Sequence, residues 1–341
     1  MKAIIKKYIM NFVWIFLFAF LALYFSLKGE FYLIMDTVRN AKVNWIIVAF
    51  MFMVAYNLLE GYALAIFGKL YNKAYTFRQG VVNAFCATFF NGITPFQSGG
   101  QFAQVYVFNK QGIQPSYSAS ILLMNFIVYQ TIVVLYTLVI VLFKYSYYST
   151  NFSDFFSLAL IGFGINFVVI VSLFVGAKSR MLQSFFVNVI LRIGEKVRLV
   201  KDYETTAMKV ERHLEDFRNE LKILQKNMHI LVSVSIINVL KLTILYMVPY
   251  FCARALGLEI SHIPINEFIG ITAFIYMITS FIPIPGASGG SEGIFVILFG
   301  FLLGGIGAKS SMILWRFVTY YLMLVLGALF FALDPEINRK E

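Results

Sequence analysis

Long apolar runs separated by short polar joints make up this chain, and the thickness of a bilayer is the ruler for reading them. A helix crossing roughly 30 Å of hydrocarbon needs about 20 apolar residues. On that ruler residues 9–27, 43–67, 118–143, 155–177, 230–250 and 310–333 each predict a full span. Two further apolar stretches, 80–108 and 268–307, are interrupted in the middle. The second is broken by FIPIPGASGGSEG at 281–293, where Pro283, Pro285 and Gly286 predict the bend, and the first by ITPFQSGGQFA at 93–103, with Pro95 at its bend. Proline removes a helical amide and glycine has no Cβ to favour the helix. Irregular backbone at membrane depth is tolerated where it meets protein or a water-filled cavity. Each stretch therefore predicts a re-entrant hairpin made of two thin arms. A shift of 190 residues lays Pro95, Ser98, Gly99 and Gly100 on Pro285, Ser288, Gly289 and Gly290, and NFIVYQ at 125–130 resembles RFVTYY at 316–321 after one further residue.

Charge orients these elements, because Lys and Arg in short loops favour the cytoplasmic side. With both broken stretches treated as re-entrant, 20 of the 28 basic residues fall on one side and six on the other, with Lys241 and Arg316 left inside spans. The count predicts that both termini are cytoplasmic. It also makes the first hairpin enter from the cytoplasm and the second from outside. The expected fold is an all-α polytopic membrane protein with about six full spans plus two re-entrant broken-helix hairpins related as an inverted repeat. Its parts are a first membrane half at 1–177 with an inner-facing hairpin near 80–109, an insertion at 178–228, and a second half at 229–341 with an outer-facing hairpin near 268–307. The insertion mixes basic and apolar residues, which predicts an interfacial helix followed by a cytoplasmic one.

Composition narrows the function class. Hydrophobic residues make up 60% of the chain and charged ones 13%, and mean hydropathy is +0.78, far from the roughly 25% charge of soluble domains. The net charge of +11 lies in loops between apolar spans, so it points to an anionic inner leaflet rather than to nucleic acid. Cys86 and Cys252 sit inside apolar runs without metal-ligand spacing, and read as buried thiols. His213, His229 and His262 are far apart, and there is no HExxH or CxxC string. No cofactor or metal is expected, and no catalytic group. An integral-membrane glycosyltransferase using Glu30 or Asp36 as base would need a larger external loop than those present.

Ionisable residues inside spans are costly and mark a pathway or a paired site. Glu60, Lys241, Glu292 and Arg316 are the four. Asn57 precedes Glu60 by three residues and Asn238 precedes Lys241 by three, so each amide shares its neighbour's face. Glu292 opens the returning arm of the second hairpin, where a helix N-terminus favours negative charge, and Arg316 is its natural partner on the next span. A competing expectation is that Arg316 and Lys241 receive an anionic head group. Gln97, Ser98, Gly99, Gly100 and Gln101 in the first bend, with Ser288, Gly289, Gly290 and Ser291 in the second, would add backbone amides with anion-binding geometry.

These paired loops, in a chain of this length and hydropathy, resemble the transmembrane flippase-like region of the lysylphosphatidylglycerol synthase/flippase family over roughly residues 8–333. The most specific part is the PxPGxxGxxE form supplied by Pro283, Pro285, Gly286, Gly289 and Glu292; the first loop departs from it, with Phe102 in the place of the acid. The resemblance implies a polytopic bacterial protein of the cytoplasmic membrane that moves an anionic phospholipid, an aminoacylated phospholipid or a glycolipid between leaflets. Larger members carry an aminoacyl-transferase domain after the membrane part; none follows here, so lysine transfer is not among the expectations. The partners expected are a membrane lipid as substrate, the anionic inner leaflet and further copies of the chain in a homo-oligomer. An ion-coupled carrier for a small anion would use the same repeat and the same basic residues.

Overall fold

The structure is a computed structural model that describes residues 31–151, 157, 160–168, 170–171, 203–279, 282 and 284–339. Among them there is no strand, and the elements follow the apolar runs: α1 (Phe31–Arg39), α2 (Val43–Gly68), α3 (Phe77–Gly92), α4 (Gly99–Lys110), α5 (Pro115–Asn151), α6 (Tyr203–Lys226), α7 (Met228–Ala255), α8 (Ile265–Thr279), α9 (Gly290–Arg316) and α10 (Leu322–Leu333). Short 3-10 turns, Pro95–Gln97 and Pro285–Ala287, stand at the two predicted breaks, and a π-helical segment, Phe317–Tyr321, joins α9 to α10.

Four helical runs are long and apolar enough to cross a membrane: Val43–Gly68, Pro115–Lys144, Met228–Ala255 and Pro285–Leu333. The expected span at 9–27 and much of the one at 155–177 lie outside the described residues, as do the first part of the insertion and Pro283. The expected separation of 268–307 from a span at 310–333 is corrected. The returning arm does not stop at 307 but continues from Gly290 through Arg316 into α10. Its bend is at Gly304, where φ 70 and ψ 167 lie outside the helical region and glycine alone adopts them readily. At 1.5 Å per residue the arm before Gly304 is about 20 Å long, less than the hydrocarbon thickness, and the run after it is roughly twice that. By the same measure α3, α4 and α8 are each too short to cross alone.

The shift of 190 residues noted for the loops extends to whole elements. It carries α2 onto α7, α3 onto α8, the first 3-10 turn onto the second, α4 onto the start of α9, and α5 onto the run from Gly304 through α10. Packing follows the same pairing. Helix α2 lies along α7, α3 packs on α10 while α8 packs on α5, and the two 3-10 turns touch each other. The amide of Lys42, just before α2, donates to the carbonyl of Ala255 at the end of α7 at 2.7 Å, so these two helices run antiparallel.

Helix α3 starts on a capping box: Thr76 Oγ1 accepts from the Gln79 amide and Gln79 Oε1 accepts from the Thr76 amide. It then crosses α2 at closest approach, where a Cβ on Gly80 would lie 2.1 Å from the Gly61 carbonyl oxygen. Small residues at membrane-helix crossings let backbones meet in this way. The main core lies between α2, α7, α8 and α9, with Leu242, Val248, Phe268, Phe295, Phe299 and Met312 all buried.

Candidate functional site

The two 3-10 turns share a backbone shape that sequence alone did not reveal. Phe96 and Gln97 have φ 53, and their counterparts Gly286 and Ala287 have φ 60 and 52. Left-handed conformations of this sort are costly for residues with a Cβ. Three of the four positions carry that cost. The turns meet at one wall of a cavity of about 490 Å³ bounded by α2, α3, α5, α7, α8 and the α9–π–α10 run.

Arg316 is the cation on the cavity wall. Its Nε donates to Glu292 Oε1 at 2.7 Å, and one terminal nitrogen donates to the Gly286 carbonyl at 2.9 Å and to Ser288 Oγ at 3.3 Å. Glu292 Oε2 accepts from the Gly289 amide and from Ser291 Oγ, both at 2.8 Å. Both charges are buried, at 6% and 2% exposure, and both carboxylate oxygens accept hydrogen bonds. Such satisfaction is what makes a buried ion pair tolerable in a low dielectric. The guanidinium also lies 4.5 Å from the centre of the Tyr320 ring. One turn on, Tyr320 donates its hydroxyl proton to the Gly92 carbonyl at 2.9 Å, at the end of α3. The π segment puts these two residues where each reaches a different turn; such bulges recur at functional sites.

Lys241 is the fourteenth of the 28 residues of α7, and it does not reach the cavity. Its ammonium is paired with Glu60, whose other oxygen accepts from Asn125 Nδ2 at 2.9 Å. Tyr129 and Tyr56 cover it, with ring centres at 4.5 and 5.5 Å. The expectation that Lys241 stands open to a head group is corrected by that pairing. Asn238 is fully buried, donates to the Val234 carbonyl one turn back, and also lies off the cavity. Asn57 does line it, accepting from Thr88 Oγ1 at 2.7 Å.

The expected amide cradle is corrected as well. The Gly99 amide donates to Thr94 Oγ1, that of Gly100 to Asn91 Oδ1, and that of Gly289 to Glu292. The amides of Gln97 and Ser98 close the first turn, and those of Ala287 and Ser288 the second. Of the expected loop residues described, only Gln97, Gly286 and Ser291 line the cavity; Pro95, Ser98, Gly99, Gly100, Gln101, Pro285, Ser288, Gly289 and Gly290 do not.

What the sequence reading missed is the aromatic and amide lining. Tyr56, Tyr129, Tyr246, Tyr276, Tyr320 and Trp315 surround the space. Asn91, Gln130 and Asn166 add amides. A signal was present, since Tyr56 and Tyr246 are 190 residues apart and Tyr129 and Tyr320 lie in the two strings that match. Among the described residues no three His, Cys, Asp or Glu side chains gather into a metal-binding group.

No curated protein matches the chain. A family model does: it describes the lysylphosphatidylglycerol synthase TM region and matches residues 11–327. Those residues take in α1 to α9 and both 3-10 turns. With nearly the whole chain matched, and with apolar helices long enough to cross a bilayer, this multi-pass membrane protein belongs to the lysylphosphatidylglycerol synthase transmembrane-region family.

Proposed function

We propose that the protein is a transporter that passes the head group of a membrane lipid between leaflets through this cavity, while the acyl chains stay in the bilayer. The observation that carries the reading is the meeting of two broken-helix turns, equivalent by the 190-residue shift, at a cavity that brings amide, hydroxyl and guanidinium groups into an apolar bundle. Broken helices meeting in the middle of the membrane are a recurrent plan of alternating-access carriers. The inverted relation of the halves is supported by α2 and α7, which occupy equivalent places and run in opposite directions. Membership of a lipid-related membrane family supports the substrate class. The carboxylates of Glu60 and Glu292 are paired with cations, which suits a structural framework better than a catalytic base.

In this reading both termini face the cytoplasm, and the basic insertion meets the anionic inner leaflet. The test is leaflet exchange in liposomes holding the purified protein, using lipids labelled on an acyl chain and a membrane-impermeant quencher. Exchange above protein-free liposomes is expected for at least one of an anionic phospholipid, an aminoacylated phospholipid and a glycolipid. Rates equal to those of empty liposomes for all three would end the proposal.

A further inference from the structure

The cavity's own chemistry bears on which head group it takes, a question that rests on the transport reading above. We propose that the head group is an uncharged, polyhydroxylated one, a sugar carried on a lipid, rather than an ionic one. Three observations converge. First, neither intramembrane cation is available: Arg316 is neutralised by Glu292 and also tied to the Gly286 carbonyl, and Lys241 is neutralised by Glu60 away from the cavity. An anionic head group would meet in Arg316 a cation already neutralised by Glu292, and would either crowd that carboxylate with a second negative charge or displace Arg316 and leave Glu292 unpaired, both unfavourable. A cationic head group would meet Arg316 and find both carboxylates already engaged.

Second, the wall offers flat aromatic faces, five tyrosines and Trp315, interleaved with amides. Apolar faces beside hydroxyl-binding amides match a sugar ring, which has an apolar C–H surface and a rim of hydroxyls that donate and accept. Third, hydrogen-bonding capacity is left over. Trp315 is 2% exposed, its ring stacks on Phe295 with centres 4.8 Å apart, and its indole N–H has no partner. That N–H has almost no accessible surface, so an acceptor meets it only with a shift of the ring, which would recover the cost of burying it unpaired. Asn91 spends its oxygen on the Gly100 amide and Gln130 its nitrogen on Asn166. The first is left a donor and the second an acceptor.

Reconstituted protein offered monoglucosyl diacylglycerol, phosphatidylglycerol and lysylphosphatidylglycerol, each with the same labelled acyl chain, separates the outcomes. The glucolipid is expected to exchange about tenfold faster than either charged lipid, since a charge at membrane depth with no free counter-charge is penalised. If either charged lipid moves as fast as the glucolipid, the head-group class is wrong while the transport reading stands. If none moves, the transport reading itself fails. Trp315→Phe keeps the stacked ring and removes the N–H; a glucolipid rate at least fivefold lower is expected, with the charged lipids as controls in the same vesicles. An unchanged glucolipid rate would overturn the placement of the sugar in this cavity. The comparison of the three lipids uses the unaltered chain, so it decides the class whether or not that variant folds.

Discussion

Arg316 serves four partners at once: a carboxylate, a backbone carbonyl in a left-handed turn, the Ser288 hydroxyl and the face of Tyr320. Removing its charge while Glu292 stays ionised leaves an uncompensated buried anion, at a cost of about 3–5 kcal/mol. Arg316→Gln is therefore expected to lower the thermal unfolding midpoint in detergent by several degrees. The double variant Arg316→Gln with Glu292→Gln removes both charges together and should recover much of the loss. A single variant as stable as the parent would show that the pair is not coupled. Lys241→Gln should behave as the milder case, because Asn125 still donates to Glu60 and that carboxylate is more exposed than Glu292, at 18% against 2% of its side chain. The need for partners could be read from the sequence, since an ionisable residue in a span is costly anywhere in it. The identity of the partner of Lys241 could not. Glu60 lies 181 residues away, and hydropathy carries no information on which span packs against which.

At the scale of the element, the two bends were readable because proline and glycine act locally. Their chemistry marks a break whatever the fold around it. The break at Gly304 was not readable in the same way, since GFLLGGIG at 300–307 holds four glycines and only the packed helices decide which one bends. The amide cradle was misjudged for a related reason: side chains just upstream, Asn91 and Thr94, reach the free amides before any ligand does. Close crossings provide the sharpest test of the element packing. Gly80→Ala would place a Cβ 2.1 Å from the Gly61 carbonyl oxygen, backbone against backbone with no side chain to yield. Overpacking of this kind costs about 1–3 kcal/mol, and a lower unfolding midpoint and lower yield of folded protein are expected. The turns themselves differ in tolerance. Gly286→Ala combines positive φ with a Cβ 2.4 Å from the Tyr320 ring and should be damaging. Phe96→Gly relieves positive φ at a position 63% exposed and should leave the midpoint unchanged or raise it. A midpoint that falls as far for Phe96→Gly as for Gly286→Ala would contradict the turn geometry.

For the whole molecule, the antiparallel packing of α2 on α7 sets which loops share a side of the membrane. The start of α2 is bonded to the end of α7, so the loop around Lys73, after α2, and the loop around Glu259, after α7, belong on opposite faces. The basic-residue count predicts that Lys73 is cytoplasmic. Single cysteines replacing Lys73 and Glu259, both exposed, should therefore label from opposite sides of sealed cells with an impermeant thiol reagent, Glu259→Cys from outside. The native Cys86 and Cys252 are free and buried and should contribute little background. Labelling of both positions from the same side would undo the antiparallel arrangement, and with it the inverted relation on which the transport reading draws.

One turn of helix, at Arg316 and Tyr320, is fastened to both halves, and the two fastenings are unequal. Tyr320 holds Gly92 through one neutral hydrogen bond, a net contribution of about 0.5–1.5 kcal/mol, whereas a charged donor such as Arg316 contributes about 1.5–3 kcal/mol to each bond it makes. On the transport reading, a stroke that parts Gly92 from this turn of helix breaks the weaker of the two bonds, while Arg316 keeps the second turn with the α9–α10 run. If the transport reading holds, its cycle has an order set by this inequality, with the α9–α10 run and the second turn moving as one piece.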